Sequence, residues 1–286
     1  MNYLTRNIEK EALDLAANYP VLTITGPRQS GKTTLARHLF NKLPYFSFEN
    51  PDLRSLVIND PRKFLSQLPM GAILDEVQNV PDIISYLQEL ADDKNNKVLF
   101  VITGSNHFAV MQKVTQSLAG RTGILKLLPF SLTEARYGKS VSTDKILFDG
   151  FYPEVLKNKL SSHKIYRNYY ETYLQKDVRQ LIQLKDLNIF DKFVRICAGR
   201  IGNLLNTANI ANETGLSVPT IKSWLSVLEA SYIIMLLPPF YENINKRLIK
   251  SPKLYFYDVG LASYLLGISD TELMSRDPLR GALFDR

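Results

Sequence analysis

Cysteine is nearly absent from the 286-residue chain: there is one, Cys197. This excludes an intramolecular disulfide framework and a zinc site built from cysteines, and it suits a reducing cytoplasm. Long apolar runs are also missing, and none reaches the length needed to cross a bilayer. The first twenty residues are charged and amphipathic, with no apolar signal core. A soluble, cytoplasmic protein without membrane contact is therefore expected. Nor is there an N-K-x-D run of the kind that reads guanine. Charge of one sign does not dominate, with 35 basic against 28 acidic residues and a net charge of +7. Residues 1–137 hold 15 basic and 13 acidic residues, and residues 138–286 hold 20 and 15, so most of the excess lies in the second half. That balance admits nucleic acid or another acidic partner there, and equally an ordinary basic surface.

Hydrophobic residues make up 45% of the chain and aromatics 10%, enough for a sizeable core and too many for global disorder. The length suggests two domains, or one with appendages. The most informative run is Gly26-Pro27-Arg28-Gln29-Ser30-Gly31-Lys32-Thr33-Thr34, which fits G-x-x-x-x-G-K-[ST]. An apolar strand pattern, Val21–Thr25, precedes it and a helical pattern, Leu35–Phe40, follows it, as a phosphate-binding loop requires. Its glycines let backbone N–H groups and the helix N-terminus face a phosphate. Lys32 would reach the β- and γ-phosphates, and the Thr33 hydroxyl would hold Mg²⁺.

Strand and helix patterns alternate from Val21 to about Pro129, which predicts an α/β fold with a largely parallel sheet. Ligands of such sheets bind at the carboxyl ends of the strands. A second apolar run, Gly71–Leu74, ends in Asp75 and Glu76. Asp75 would orient the metal, and Glu76 would act as general base toward the attacking water. A third run, Val98–Thr103, ends in Gly104, Ser105 and Asn106. Either Ser105 or Asn106 hydrogen-bonds the γ-phosphate or the lytic water, or the three residues form a plain turn. Arg121, before a further strand pattern at Ile124–Leu128, is either an arginine finger for a neighbouring subunit or a surface arginine.

Together these residues resemble the AAA+ superfamily of ATPases. More narrowly, the chain is similar to predicted prokaryotic ATPases that carry GPRQSGKTT, DEVQ and TGS, then an LAGR element and a C-terminal region of unknown function. Asp75–Pro81, Thr103–Ser105, Ser117–Arg121, Leu127–Ser131, Gly150–Glu154 and Tyr255–Gly260 match that pattern in order. The resemblance implies ATP with Mg²⁺, a sheet of strand order 5-1-4-3-2, an arginine finger at Arg121 and a homo-oligomer built through it.

The ATPase part is expected over 1–137, and 138–203 reads as a helical connector. There Tyr166, Tyr169, Tyr170 and Tyr173 form one helical stripe, which is either core packing or a platform for bases. Residues 204–270 read as a winged-helix domain, with helices over Thr207–Thr214 and Ser217–Ala230 and strands over Tyr232–Leu237 and Lys253–Tyr257. The second helix has no arginine to pair with guanine, so nucleic acid would be met through phosphates by Lys246, Arg247, Lys250 and Lys253. The other reading of this part is a protein-binding winged helix. Residues 271–286 read as a C-terminal tail, either truncated or a natural short form. Similar proteins continue past a Gly-x-Leu-Phe-Glu element into a nuclease-like domain, whereas here Asp285 stands in the place of that glutamate. The expected function is Mg-dependent ATP hydrolysis that switches the winged-helix part. The alternative is an ATP-responsive nucleic-acid-binding regulator, or an interaction scaffold, with little turnover.

Overall fold

The computed structural model describes residues 3–93, 98–104, 113–114, 116–138, 140–157, 160–173, 187–240 and 250–285. The chain forms two compact units, one ending at Leu128 and the other running from Pro129 to Arg286.

The N-terminal unit is built on strands β1 (Val21–Thr25), β2 (Tyr45–Ser47), β3 (Gly71–Asp75), β4 (Leu99–Thr103) and β5 (Thr122–Lys126). They form one parallel sheet in the order β5-β1-β4-β3-β2, as the resemblance implied. Helices α1 (Glu9–Asn18) and α2 (Lys32–Leu39) cover one face, and α3 (Pro51–Asn59), α4 (Pro61–Ser66) and α5 (Ile83–Asp92) cover the other. Alternate strand residues divide between the two layers. Leu22, Ile24, Ile73 and Val101 pack with α1 and α2, while Val21, Ala72, Leu74, Phe100 and Ile102 pack on the opposite side. This is why the central strands read as unbroken apolar runs: both faces are buried. Each aliphatic side chain so covered contributes about 1.5–3 kcal/mol.

The C-terminal unit has its own core, which runs from Leu147 through Tyr166, Phe193, Trp224 and Phe256 to Leu283. Segments expected as connector, winged helix and tail therefore contribute to one hydrophobic cluster. The tail is folded into helices Thr271–Arg276 and Arg280–Phe284, with Met274 and Leu283 fully buried. The unit also starts earlier than residue 138, because Phe130 N–H donates to the Phe151 carbonyl at 2.9 Å. Helices Thr207–Thr214 and Val218–Ala230 are joined through Gly215 in the left-handed conformation, and Ser217 caps the second. Strands β6 (Ile234–Leu237) and β7 (Lys253–Phe256) pair antiparallel. The tyrosine stripe is core: Tyr166, Tyr169, Tyr170 and Tyr173 are all buried. Cys197 is fully buried, and burial pushes its thiol up to about 12, so it is inert at neutral pH.

A hydrogen-bonded knot fixes this unit. Asp258 is 1% exposed and accepts from the Tyr166 hydroxyl (2.7 Å), Phe151 N–H (2.7 Å) and Leu261 N–H (2.9 Å). Gly150 sits against it with φ +67°, and a Cβ there would lie 2.5 Å from Asp258 Oδ1 and collide with the Tyr166 hydroxyl. Gly150→Ala should therefore lower stability by about 2 kcal/mol or more, through left-handed backbone strain and loss of Asp258 hydrogen bonds. Thermal denaturation checks this; an unchanged Tm would show that the knot tolerates displacement.

Candidate nucleotide-binding site

The candidate site lies at the carboxyl ends of β1, β3 and β4. After Thr25 the chain turns through Gly26, whose backbone lies so close to the Leu127 carbonyl that any Cβ would collide with it, at φ +148°. Gln29 is also left-handed, with φ 61°, and Gly31 begins α2 with φ 96°. These conformations curl residues 26–31 over the N-terminus of α2. From sequence position alone Arg6 has no reason to be here. Its buried guanidinium nevertheless donates to the Ser30 carbonyl (3.0 Å) and the Leu128 carbonyl (2.7 Å), bracing the loop from behind. Ser30 itself is fully buried, and Arg28, Gln29 and Thr34 are exposed.

Lys32 is 6% exposed and donates to the carbonyls of Gly26 (3.1 Å) and Pro27 (2.8 Å). Burial lowers its pKa to about 8, Glu76 and Asp75 counter that, and the Arg28 charge adds to it. A polyanion against the ammonium would raise that pKa again.

Asp75, at the end of β3, is 5% exposed and gathers three hydroxyls from three elements. Thr33 Oγ1 of α2 donates at 2.9 Å, the Tyr45 hydroxyl of β2 at 2.8 Å, and Thr103 Oγ1 of β4 completes the set. Burial pushes the Tyr45 phenol up to about 12, and the bond to Asp75 adds to that shift, so it stays a donor. Neither Tyr45 nor Thr103 carries a spacing signal for this role. The β2–β3 register, Ser47 opposite Asp75, and the place of β4 beside β3 bring them there. Glu76 follows in the left-handed region, φ 57° and ψ 49°, an uncommon conformation for a residue with a Cβ. Its carboxylate accepts from the amide of Gln78, which lies in the DEVQ element without a role assigned from sequence.

The residues present fit Mg²⁺ and a nucleotide phosphate chain. The Thr33 hydroxyl and the Asp75 carboxylate are hard oxygen donors of the kind Mg²⁺ takes. Thr25 Oγ1 and Ser30 Oγ are buried without a hydrogen-bond partner, one beside the loop and one within it. Space beside Gly31 is open, the nearest atom to a built Cβ being Arg6 Nη1 at 3.9 Å.

Other expected site residues lie elsewhere. Ser105, Asn106, Lys246 and Arg247 are outside the described residues, and Lys250 and Lys253 are exposed in the C-terminal unit. Arg121 precedes Thr122, which pairs with Val21, so it stands at the start of β5, whereas the loop follows the end of β1. Four strand steps, roughly 13 Å, separate the two edges. There Arg121 pairs with Asp92, Nε to Oδ1 at 2.5 Å and Nη2 to Oδ2 at 3.1 Å. It is thus not part of its own chain's phosphate pocket.

Residues 18–136 match the family described as AAA domain, and residues 140–272 match a domain of unknown function, DUF8612. Two curated proteins, described as uncharacterized, from Mycobacterium bovis and Mycobacterium tuberculosis, are each 32% identical over 93% of this chain. The chain spans 60% of the length of those relatives. Among solved structures, the Walker-type ATPase paby2304 of Pyrococcus abyssi is similar with a TM-score of 0.60 at 16% identity, over 92% of this chain and 96% of that one. This likeness shows a shared fold. Among the described residues no helix is long and apolar enough to cross a membrane. The domain match, the sheet order and the loop geometry together support a phosphate-loop, AAA-type ATPase over the N-terminal unit.

Proposed function

We propose that the protein binds Mg·ATP on the Gly26–Thr34 loop, hydrolyses it, and uses the cycle to switch its C-terminal unit. One observation carries the reading: Thr33 and Asp75, 42 residues apart, meet within hydrogen-bonding distance at the loop, with Glu76 beside them. Lys32 and the loop N–H groups hold the β- and γ-phosphates. Thr33 and Asp75 would hold Mg²⁺, which when bound neutralises charge on the phosphate oxygens. Glu76 takes a proton from the attacking water while the bond from the γ-phosphorus to the bridging oxygen breaks, leaving ADP and inorganic phosphate. Arg121, remote from its own loop, would act on a neighbouring subunit's phosphates, and so implies a homo-oligomer. The two helices joined at Gly215 and the β6–β7 hairpin support a winged-helix reading of the C-terminal unit. Lys222, Lys250 and Lys253 are exposed there and favour a phosphate-backbone partner.

Lys32→Ala should abolish ATP binding in calorimetry, since it removes the charge that meets the phosphates. Glu76→Gln should bind ATP as the wild type does and lose at least about 100-fold in phosphate release, the usual scale of general-base catalysis. Turnover equal to wild type would remove Glu76 as the base. Phosphate release followed across protein concentration, with and without duplex DNA at two salt concentrations, separates the finer readings. Activity per subunit that rises with concentration supports Arg121 acting across subunits, and a flat response argues against it. DNA-stimulated turnover that salt suppresses supports coupling to nucleic acid. ATP binding without turnover supports the regulator reading, and neither turnover nor DNA binding supports a scaffold.

A further inference from the structure

The turn after Glu76 holds a residue that the hydrolysis scheme leaves without a role. Val77–Asn79 form one 3₁₀ turn, closed by Asn79 N–H to the Glu76 carbonyl and Val80 N–H to the Val77 carbonyl, each 3.0 Å. The Val77 side chain is buried in the sheet's core and anchors the turn. Gln78 therefore does not project away from the site. Its side chain folds back, and Nε2 donates to Oε2 of Glu76. The other end of the same amide lies against the end of β4, where a Cβ built on Gly104 would stand 2.6 Å from Gln78 Oε1.

We propose that Gln78 is a positioning residue. Its amide fixes the Glu76 carboxylate, and Gly104 leaves the room that the amide needs. The inference rests on the hydrolysis reading and adds to it. A carboxylate on two rotatable methylenes samples many orientations, and a general base works only within hydrogen-bond reach of its proton. The backbone of Glu76 is already restricted by its left-handed conformation and the 3₁₀ turn. The Gln78 bond removes the remaining side-chain freedom and engages Oε2, leaving Oε1 as the oxygen for the water proton. The end of β4 thus meets one acidic residue of the site directly and the other through Gln78. Thr103 bonds Asp75 directly, and Gly104 abuts the amide that bonds Glu76. A glycine at 104 is thereby explained by space, since any side chain would push the amide off Glu76.

Gln78→Ala, Gly104→Ala and the double variant test this, each in wild-type and Glu76→Gln backgrounds. Phosphate release and affinity for a fluorescent ATP analogue are measured, together with crystal structures of the two single variants. Each single variant should lower kcat about ten-fold or more while nucleotide affinity stays within about two-fold, because a transition-state contact is lost and ground-state binding is not. The double variant should be no slower than the slower single one, and neither change should slow the Glu76→Gln protein further, since all act through one carboxylate. In the crystals the Glu76 carboxylate should have left its place. The inference is overturned if Gln78→Ala turns over like wild type while Glu76→Gln does not. It also fails if Gln78→Ala slows the Glu76→Gln protein as much as it slows wild type. If Glu76→Gln turns over normally, the hydrolysis reading fails instead. The crystal structure then decides whether Gln78 holds Glu76, and a carboxylate unmoved in Gln78→Ala overturns that too.

Discussion

The buried carboxylate of Asp75 is the interaction on which the N-terminal unit turns. An acidic group sealed from water is tolerated only when hydrogen bonds replace the lost hydration. Here three hydroxyls do so, from Thr33, Tyr45 and Thr103. Those donors sit on α2, β2 and β4, so satisfying one side chain ties the phosphate loop to the sheet. Opposing costs are built in beside it. Lys32 is buried with its pKa lowered to about 8, and Glu76 and Gln29 hold left-handed backbone. Strain and desolvation of this kind persist where the surrounding structure over-determines them, and they gather at sites that bind or react.

The same logic recurs in the C-terminal unit with a different result. Asp258 is as deeply buried and as fully bonded, to Tyr166, Phe151 and Leu261. These donors are two backbone N–H groups and one buried phenol, and Gly150, at φ +67°, packs against the carboxylate. One buried aspartate organises a candidate site and the other a scaffold. The donors differ: three side-chain hydroxyls surround Asp75, whereas two backbone N–H groups and one buried phenol surround Asp258.

Much of this was legible in the chain. GPRQSGKTT announces its loop because phosphate binding demands glycines, a lysine and a hydroxyl at set spacing. Apolar runs announce the central strands because both faces are covered. The helices at 207–214 and 218–230 carry clear turn and capping signals, Gly215 and Ser217. Partners that meet only after folding were not legible. Arg6 reaches the loop from a helix-preceding segment, and Tyr45 and Thr103 reach Asp75 through strand register. Gln78 returns to Glu76 through a turn that spacing rules do not encode. Domain limits were also hard to read, since Phe130, Met274 and Leu283 join the C-terminal unit through contacts distant in sequence.

The most direct test is a crystal structure of the protein with Mg²⁺ and a non-hydrolysable ATP analogue. The account predicts the triphosphate along residues 26–33, with Lys32 released from the Gly26 and Pro27 carbonyls onto the phosphates. The metal should sit beside Thr33 and Asp75, and the Glu76 carboxylate should face the γ-phosphate. A nucleotide bound elsewhere, or a loop still closed on Lys32 with the analogue present in excess, would contradict it.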